Sequence, residues 1–144
     1  MNILQQIQSE LKAPKGQKNN FGNYSYRSAE DILTAVKPLL EKHEVSLIIS
    51  DDIVGVEGRV YVKATATLWL DGKGCFTARS TGFAREALAK KGMDDAQITG
   101  SASSYARKYA LNGLLCIDDT KDPDATNDHG SKLPKPTTKQ SQGF

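Results

Sequence analysis

The chain predicts an α+β fold: a three-stranded antiparallel meander followed by a long helix, preceded by two helices, with a disordered C-terminal tail. Three observations lead there. Between Val45 and Phe83 the chain reads as strands: Val45 to Ile53 is rich in branched residues, Arg59 to Leu70 alternates apolar and polar residues with the period of a strand with one buried face, and glycine-bearing turns divide the run. On either side of it apolar residues recur at intervals of three and four, the period of a helix lying on a core. Beyond Ile117 large apolar residues almost vanish, and a segment that buries little has nothing to set against its ordering entropy. This divides the chain into a folded core, 1–119, and a disordered tail, 120–144.

In order, Met1 to Lys12 places Ile3, Leu4, Ile7 and Leu11 on one helical face. This stripe is either a lid on the domain's own core or a surface for a neighbouring subunit. Pro14 and Gly16 stop the helix. From Lys15 to Arg27 the chain is polar and rich in turn residues, with Phe21, Tyr24 and Tyr26 set among Lys15, Lys18 and Arg27. Rings mixed with cations suit base stacking beside phosphate contact, although rings in such a loop also serve as anchors to a core.

Ser28, with Asp31 three residues on, is a capping pair that opens a second helix with Ile32, Leu33, Val36, Leu39 and Leu40 inward. Pro38 should kink it, and it should end near His43. The period then changes to that of a strand over Val45 to Ile53, with a turn in Gly55 to Gly58. Arg59 to Leu70 alternates over twelve residues, with Val60, Val62, Ala64, Ala66, Leu68 and Leu70 on one face and Arg59, Tyr61, Lys63, Thr65, Thr67 and Trp69 on the other. Asp71-Gly72-Lys73-Gly74 is a hairpin turn, and Cys75 to Phe83 returns with Phe76 and Ala78 inward and Thr77, Arg79 and Thr81 on the Lys63 side. Asp94 and Gln97 cap the last helix, which runs to about Asn112 and is closed by Gly113. Its apolar face gathers Ile98, Ala102, Tyr105, Ala106 and Tyr109, opposite Gly100, Ser103, Ser104, Arg107 and Lys108.

Composition bounds the function. The chain has 144 residues, 38% of them hydrophobic, enough for one modest core. It lacks both a secretion signal in Met1 to Lys12 and a run of roughly 20 apolar residues, so no membrane is expected and the expected location is the cytoplasm. Cys75 and Cys116, outside any metal-ligand spacing, read as small buried apolar residues. The formal charge of +2 is modest, but residues 1–117 carry 15 Lys or Arg against 12 Asp or Glu, so the basic excess sits on the core.

A search for catalytic machinery yields little. His43 sits at a helix end and His129 in the tail, neither with a partner for acid–base work, and no phosphate-cradling loop supports ATP-driven chemistry. No cofactor is implied. The carboxylates Asp118, Asp119, Asp122 and Asp124 fit no standard calcium loop, and they read as a solvated junction rather than a metal site. Lys63, Arg79, Arg85, Lys90, Lys91, Arg107 and Lys108 cluster in the hairpin, the loop after it and the last helix, where they could make one continuous phosphate path. Gly100, Ser103 and Ser104 either let a nucleic-acid strand approach that helix or let the helix pack tightly on another element.

Three stretches carry a family resemblance: Tyr24-Ser25-Tyr26-Arg27-Ser28-Ala29-Glu30-Asp31; Ala84-Arg85-Glu86 with Lys91-Gly92-Met93; and Gln97-Ile98-Thr99-Gly100-Ser101-Ala102-Ser103-Ser104-Tyr105-Ala106-Arg107-Lys108-Tyr109-Ala110-Leu111. Together with Asp118-Asp119, Asp122 and Asp124 they resemble the ERF (essential recombination function) family of phage single-strand annealing proteins. The resemblance implies ATP-independent annealing of complementary single-stranded DNA in phage or prophage homologous recombination, by a homo-oligomer that forms a ring or a helical filament and catalyses no bond-making step. It implies Tyr24, Tyr26, Arg85, Lys91, Arg107 and Lys108 as DNA contacts, to which the residue pattern adds Arg27, Lys63, Arg79 and Lys90. A passive single-strand-binding protein would show the same features. Family members often carry a longer C-terminal region. Here a short tail ending Gln142-Gly143-Phe144 is the remaining candidate for contact with a host single-strand-binding protein.

Overall fold

A computed structural model describes residues 2–70 and 77–118 of the chain. The Asp71 to Gly74 turn, the placement of Cys75 and Phe76, the tail 120–144, and Asp119, Asp122 and Asp124 of the acidic group lie outside the described residues. The elements run α1 (Ile3–Glu10), β1 (Gln17–Asn19), β2 (Tyr24–Tyr26), α2 (Ala29–His43), β3 (Val45–Val56), β4 (Arg59–Leu70), β5 (Thr77–Arg85) and α3 (Asp95–Leu115). The fold is mixed α+β. β1 and β2 form a small antiparallel ribbon, while β3, β4 and β5 pair antiparallel in that order.

Each helix begins with a reciprocal cap. Asn2 with Gln5, Ser28 with Asp31, and Asp94 with Gln97 each exchange side-chain and backbone hydrogen bonds, satisfying donors that the first turn leaves without helical partners. α2 runs through Pro38 to His43, and Glu44 closes it in the left-handed conformation. β3 continues three residues beyond Ile53. Gly55 pairs with Val60 inside the ladder, and the turn is Glu57-Gly58 alone, whose φ values of 49° and 76° are both positive, as a two-residue primed hairpin turn requires.

The sheet is covered on one face. Val62, Ala64, Ala66 and Leu68 of β4 are buried beneath α3, which presents Ile98, Ala102, Ala106 and Ala110 at every fourth position. Alanine against alanine allows close approach. A Cβ at Gly82 would collide with the Ala106 carbonyl and lie 2.5 Å from the Ala110 nitrogen, so α3 rides directly on the β5 backbone. α1 and α2 complete the core through Ile7, Ile32 and Val36, with Leu111 and Leu115 of α3 buried beside them. Gln8 Nε2 donates to the Leu114 carbonyl at 2.9 Å, and Lys42 Nζ donates to Glu10 at 3.0 Å, fastening α1 at both sides. The α1 stripe thus covers the chain's own core, with Ile3, Leu4 and Leu11 packed at its margin. No described helix is long and apolar enough to cross a membrane.

Three sequence expectations fail around α3. Tyr105 and Tyr109 are 54% and 41% exposed rather than core, because an interface of alanines is too shallow to admit a tyrosine ring, and both rings are left at the rim. Gly113 does not close the helix. It lies against Ser80 of β5, where a Cβ would clash with the hydroxyl, and the helix continues to Leu115. Cys116, expected to be buried, is exposed and takes the left-handed C-cap position with φ 59°.

Candidate nucleic-acid interface

The β1–β2 ribbon is short and turns at Asn19, the last residue of β1. The Asn19 side chain accepts hydrogen bonds from the Phe21 and Gly22 amides at 2.9 and 3.2 Å and donates to the Tyr24 hydroxyl at 3.0 Å. Gly22 leaves room for the Tyr24 ring, which its own Cβ would otherwise strike. The ribbon therefore holds Tyr24 and Tyr26 side by side, ring centroids 6.2 Å apart and tilted by 59°. Lys108 reaches over from α3 and sets its ammonium 5.6 Å from the centre of the Tyr26 ring, within cation–π range.

Between ribbon and helix lies a groove of about 380 Å³, lined by Asn19, Tyr24, Tyr26, Arg27, Ser101, Ser104, Tyr105 and Lys108, among others. Tyr105 and Ser101 also line a neighbouring hollow of about 120 Å³, together with Arg85, Lys90 and Met93. Tyr105 thus borders both concavities, and its ring pairs with Tyr109 at 6.4 Å. Six of the sequence candidates line one or the other of these two concavities: Tyr24, Tyr26, Arg27 and Lys108 the groove, Arg85 and Lys90 the hollow.

The other four stand elsewhere. Lys63 and Arg79 project from the uncovered face of the sheet, as their register with Asp52, Thr67 and Phe83 requires. Lys63 holds its ammonium 6.0 Å from the centre of the Phe83 ring. Lys91 is exposed in the loop before α3 and lines neither concavity. Arg107 leaves the groove side altogether: its Nε donates to Asp51 at 3.2 Å, and Ser103 donates to the same carboxylate. The cations thus occupy separate surfaces of the domain, because strand alternation and helix pitch distribute neighbours in sequence to opposite faces.

The small residues of α3 divide likewise. Ser103 serves packing through Asp51, whereas Ser104 lines the groove and Gly100 faces open space, with nothing within 4 Å of a built Cβ. Tyr105 is the site residue the sequence reading placed in the core. A signal existed in the strict four-residue recurrence of Ile98, Ala102, Ala106 and Ala110, which defines a small-residue face by itself and leaves Tyr105 beside it.

A family model described as the ERF superfamily matches residues 2–143. The chain is also similar to the essential recombination function protein of Salmonella phage P22, 53% identical over 139 residues, an alignment that takes in 96% of this chain and 65% of that protein. The chain thus spans just under two thirds of that relative's length. No solved structure matches.

Proposed function

The chain belongs to the ERF superfamily, and on that premise we propose that it binds single-stranded DNA in the depression between the β1–β2 ribbon and α3 and pairs complementary strands during homologous recombination. The observation that carries the reading is the ring-and-cation groove: Tyr26 beneath Lys108, with Tyr24 and Tyr105 beside them and Arg85 and Lys90 further along. Rings accept any base by stacking, worth about 1 to 3 kcal/mol each, and cations along the wall meet the phosphates without reading sequence. Sequence-tolerant binding is what annealing requires, since any two complementary strands must be accepted.

Annealing needs no energy input, because base pairing runs downhill once phosphate repulsion is screened and counterions are released. The protein's part is to neutralise and extend the strand, with no bond made or broken and no cofactor. An oligomer, ring or filament, repeats the groove and holds a strand over several subunits. In this reading the site of action is the host cytoplasm, and the segment beyond the core is the place for a host single-strand-binding partner.

Two complementary labelled oligonucleotides, mixed with the protein in the absence of ATP, test the proposal. Faster pairing than without protein, lost in Tyr26→Ala, is expected. Tight binding with an unchanged pairing rate would make the chain a passive single-strand binder, and no binding at all would remove the groove from nucleic-acid recognition.

A further inference from the structure

Among the described residues the sheet ends in two edges that no other strand joins, β3 on one side and β5 on the other. Such edges invite pairing with further chains, and proteins manage them with charge. Here the charge differs by edge. β3 carries Asp51 and Asp52 and no cation, while β5 carries Arg79 and Arg85 and no carboxylate. Asp51 is engaged by Arg107 on the α3 side. Asp52 and Arg79 are exposed, and the strand register sets both on the uncovered face, while Arg85, the last residue of β5, is exposed at the end of that edge and also lines the hollow beside α3. Large apolar side chains also flank both edges: Ile48 and Ile53 on β3 are 55% and 61% exposed, and Phe83 on β5 is 50%.

Two β3 edges brought together would oppose carboxylate to carboxylate, and two β5 edges guanidinium to guanidinium. Only the unlike combination satisfies the charges, so self-pairing of either edge is selected against. We propose that copies of this chain assemble head to tail, the acidic β3 edge of one copy pairing with the basic β5 edge of the next and continuing the sheet across subunits. This deepens the oligomeric annealing reading and rests on it. Joining unlike surfaces leaves an open edge at each end, which closes into a ring or extends as a filament according to the rotation per subunit. Because α3 bonds Asp51 on its β3 side and carries Tyr109 beside Gly82 on its β5 side, head-to-tail addition sets the Arg107 side of one α3 beside the Tyr105 side of the next. The groove of each subunit then continues towards its neighbour's helix.

Two charge variants of the full chain decide the matter by sedimentation velocity. Asp52→Arg gives a chain with two basic edges, and Arg79→Glu with Arg85→Glu gives one with two acidic edges. Each alone should be smaller than the wild-type assembly, and an equal mixture should regain wild-type size, since basic edges of one meet acidic edges of the other. Wild-type size in either variant alone, or a mixture that stays small, overturns the proposal. If thermal melting shows that a variant does not fold, Asp52→Asn and Arg79→Gln remove charge without adding bulk. A rise of about ten-fold or more in the concentration needed for assembly then supports the pairing, and an unchanged concentration overturns it. A wild-type chain that is monomeric at every concentration also overturns it. Oligonucleotide binding by wild type and Tyr26→Ala, followed by fluorescence anisotropy, reports on the groove independently of that result.

Discussion

Both sides of the three-stranded sheet set a lysine over an aromatic ring, Lys108 over Tyr26 at 5.6 Å on the helix side and Lys63 over Phe83 at 6.0 Å on the open side. The origins differ. Lys63 and Phe83 are direct cross-strand partners, so sheet register alone brings them together. Lys108 and Tyr26 come from separate elements, and their meeting creates a groove with Tyr24 and Tyr105 along its walls. A cation beside a ring is therefore weak grounds for a binding site where strand pairing already explains it. Concavity assembled from distant segments is stronger. On the open side the same residue types stand on a face whose two edges carry opposite charge, which suits another copy of the chain.

The most severe way to break the comparison is to separate α3 from the sheet, because both surfaces depend on that contact. Gly82→Val places side-chain atoms against the Ala106 and Ala110 backbone, which cannot retreat without lifting the helix. Overpacking of this kind costs about 1 to 3 kcal/mol, and backbone opposition puts this site at the upper end or above. Chemical denaturation should show a loss of about 3 kcal/mol, with groove binding impaired as well. A fully stable variant would mean that α3 does not sit so close.

A sharper comparison sets one ring against the other. Tyr26→Ala should weaken binding of a single-stranded oligonucleotide by roughly five-fold or more, in line with the 1 to 3 kcal/mol of a stacked base. Phe83→Ala, measured at a dilution where both proteins have the same assembly state, should change it by less than about two-fold. Equal losses would merge the two sides into one DNA surface and return Lys63 and Arg79 to it. Melting temperature on the same samples excludes unfolding as the cause.

What the sequence disclosed depended on how local the signal was. β4 has the expected bounds, Arg59–Leu70, since twelve alternating residues leave no other register, and the Ser28 and Asp94 caps lie where a three-residue pairing says they should. The β1–β2 ribbon was not legible. Strands of three residues show no alternation, and their rings pack across a groove made by α3, some eighty positions later. Division of the basic residues between faces was equally hidden for Arg107, whose partner Asp51 is 56 residues away. For Lys63 and Arg79 it was legible, because alternation had already placed both opposite the buried residues of β4.

Arg107 and Lys108 offer a smaller effect that separates adjacent residues. Lys108→Ala should reduce the magnitude of the salt slope for single strands by about 0.7, the value of one phosphate contact. Arg107→Ala should leave the slope nearly unchanged, because its guanidinium is already committed to Asp51, and it should cost up to about 1 kcal/mol in stability, as partly exposed ion pairs do. Equal slopes for the two variants would show that Asp51 releases Arg107 when DNA binds.

The smallest expected effect lies away from both surfaces, where Glu10 ties α1 to α2. The hydrogen bond from Lys42 holds the Glu10 carboxyl below its ordinary range, desolvation opposes this in part, and contact with His43 adds to the lowering. Asp31 is shifted the same way, first by the Ser28 backbone amide and then by the Ser28 and Gln17 side chains. A carboxyl with a lower pKa in the folded state contributes stability that is present above the unfolded pKa and is lost as pH falls through the folded one. Both contributions should therefore hold at neutral pH and fade below about pH 4. Glu10→Gln cannot lose what it no longer has, so its stability should fall less steeply than wild type across that acid range, with a small difference at pH 7. DNA affinity at pH 7 should not move, since Glu10 lines neither concavity. Denaturant midpoints from pH 7 down to pH 3 supply the check, and acid limbs of identical slope would mean that the Glu10 contacts do not hold α1 in place.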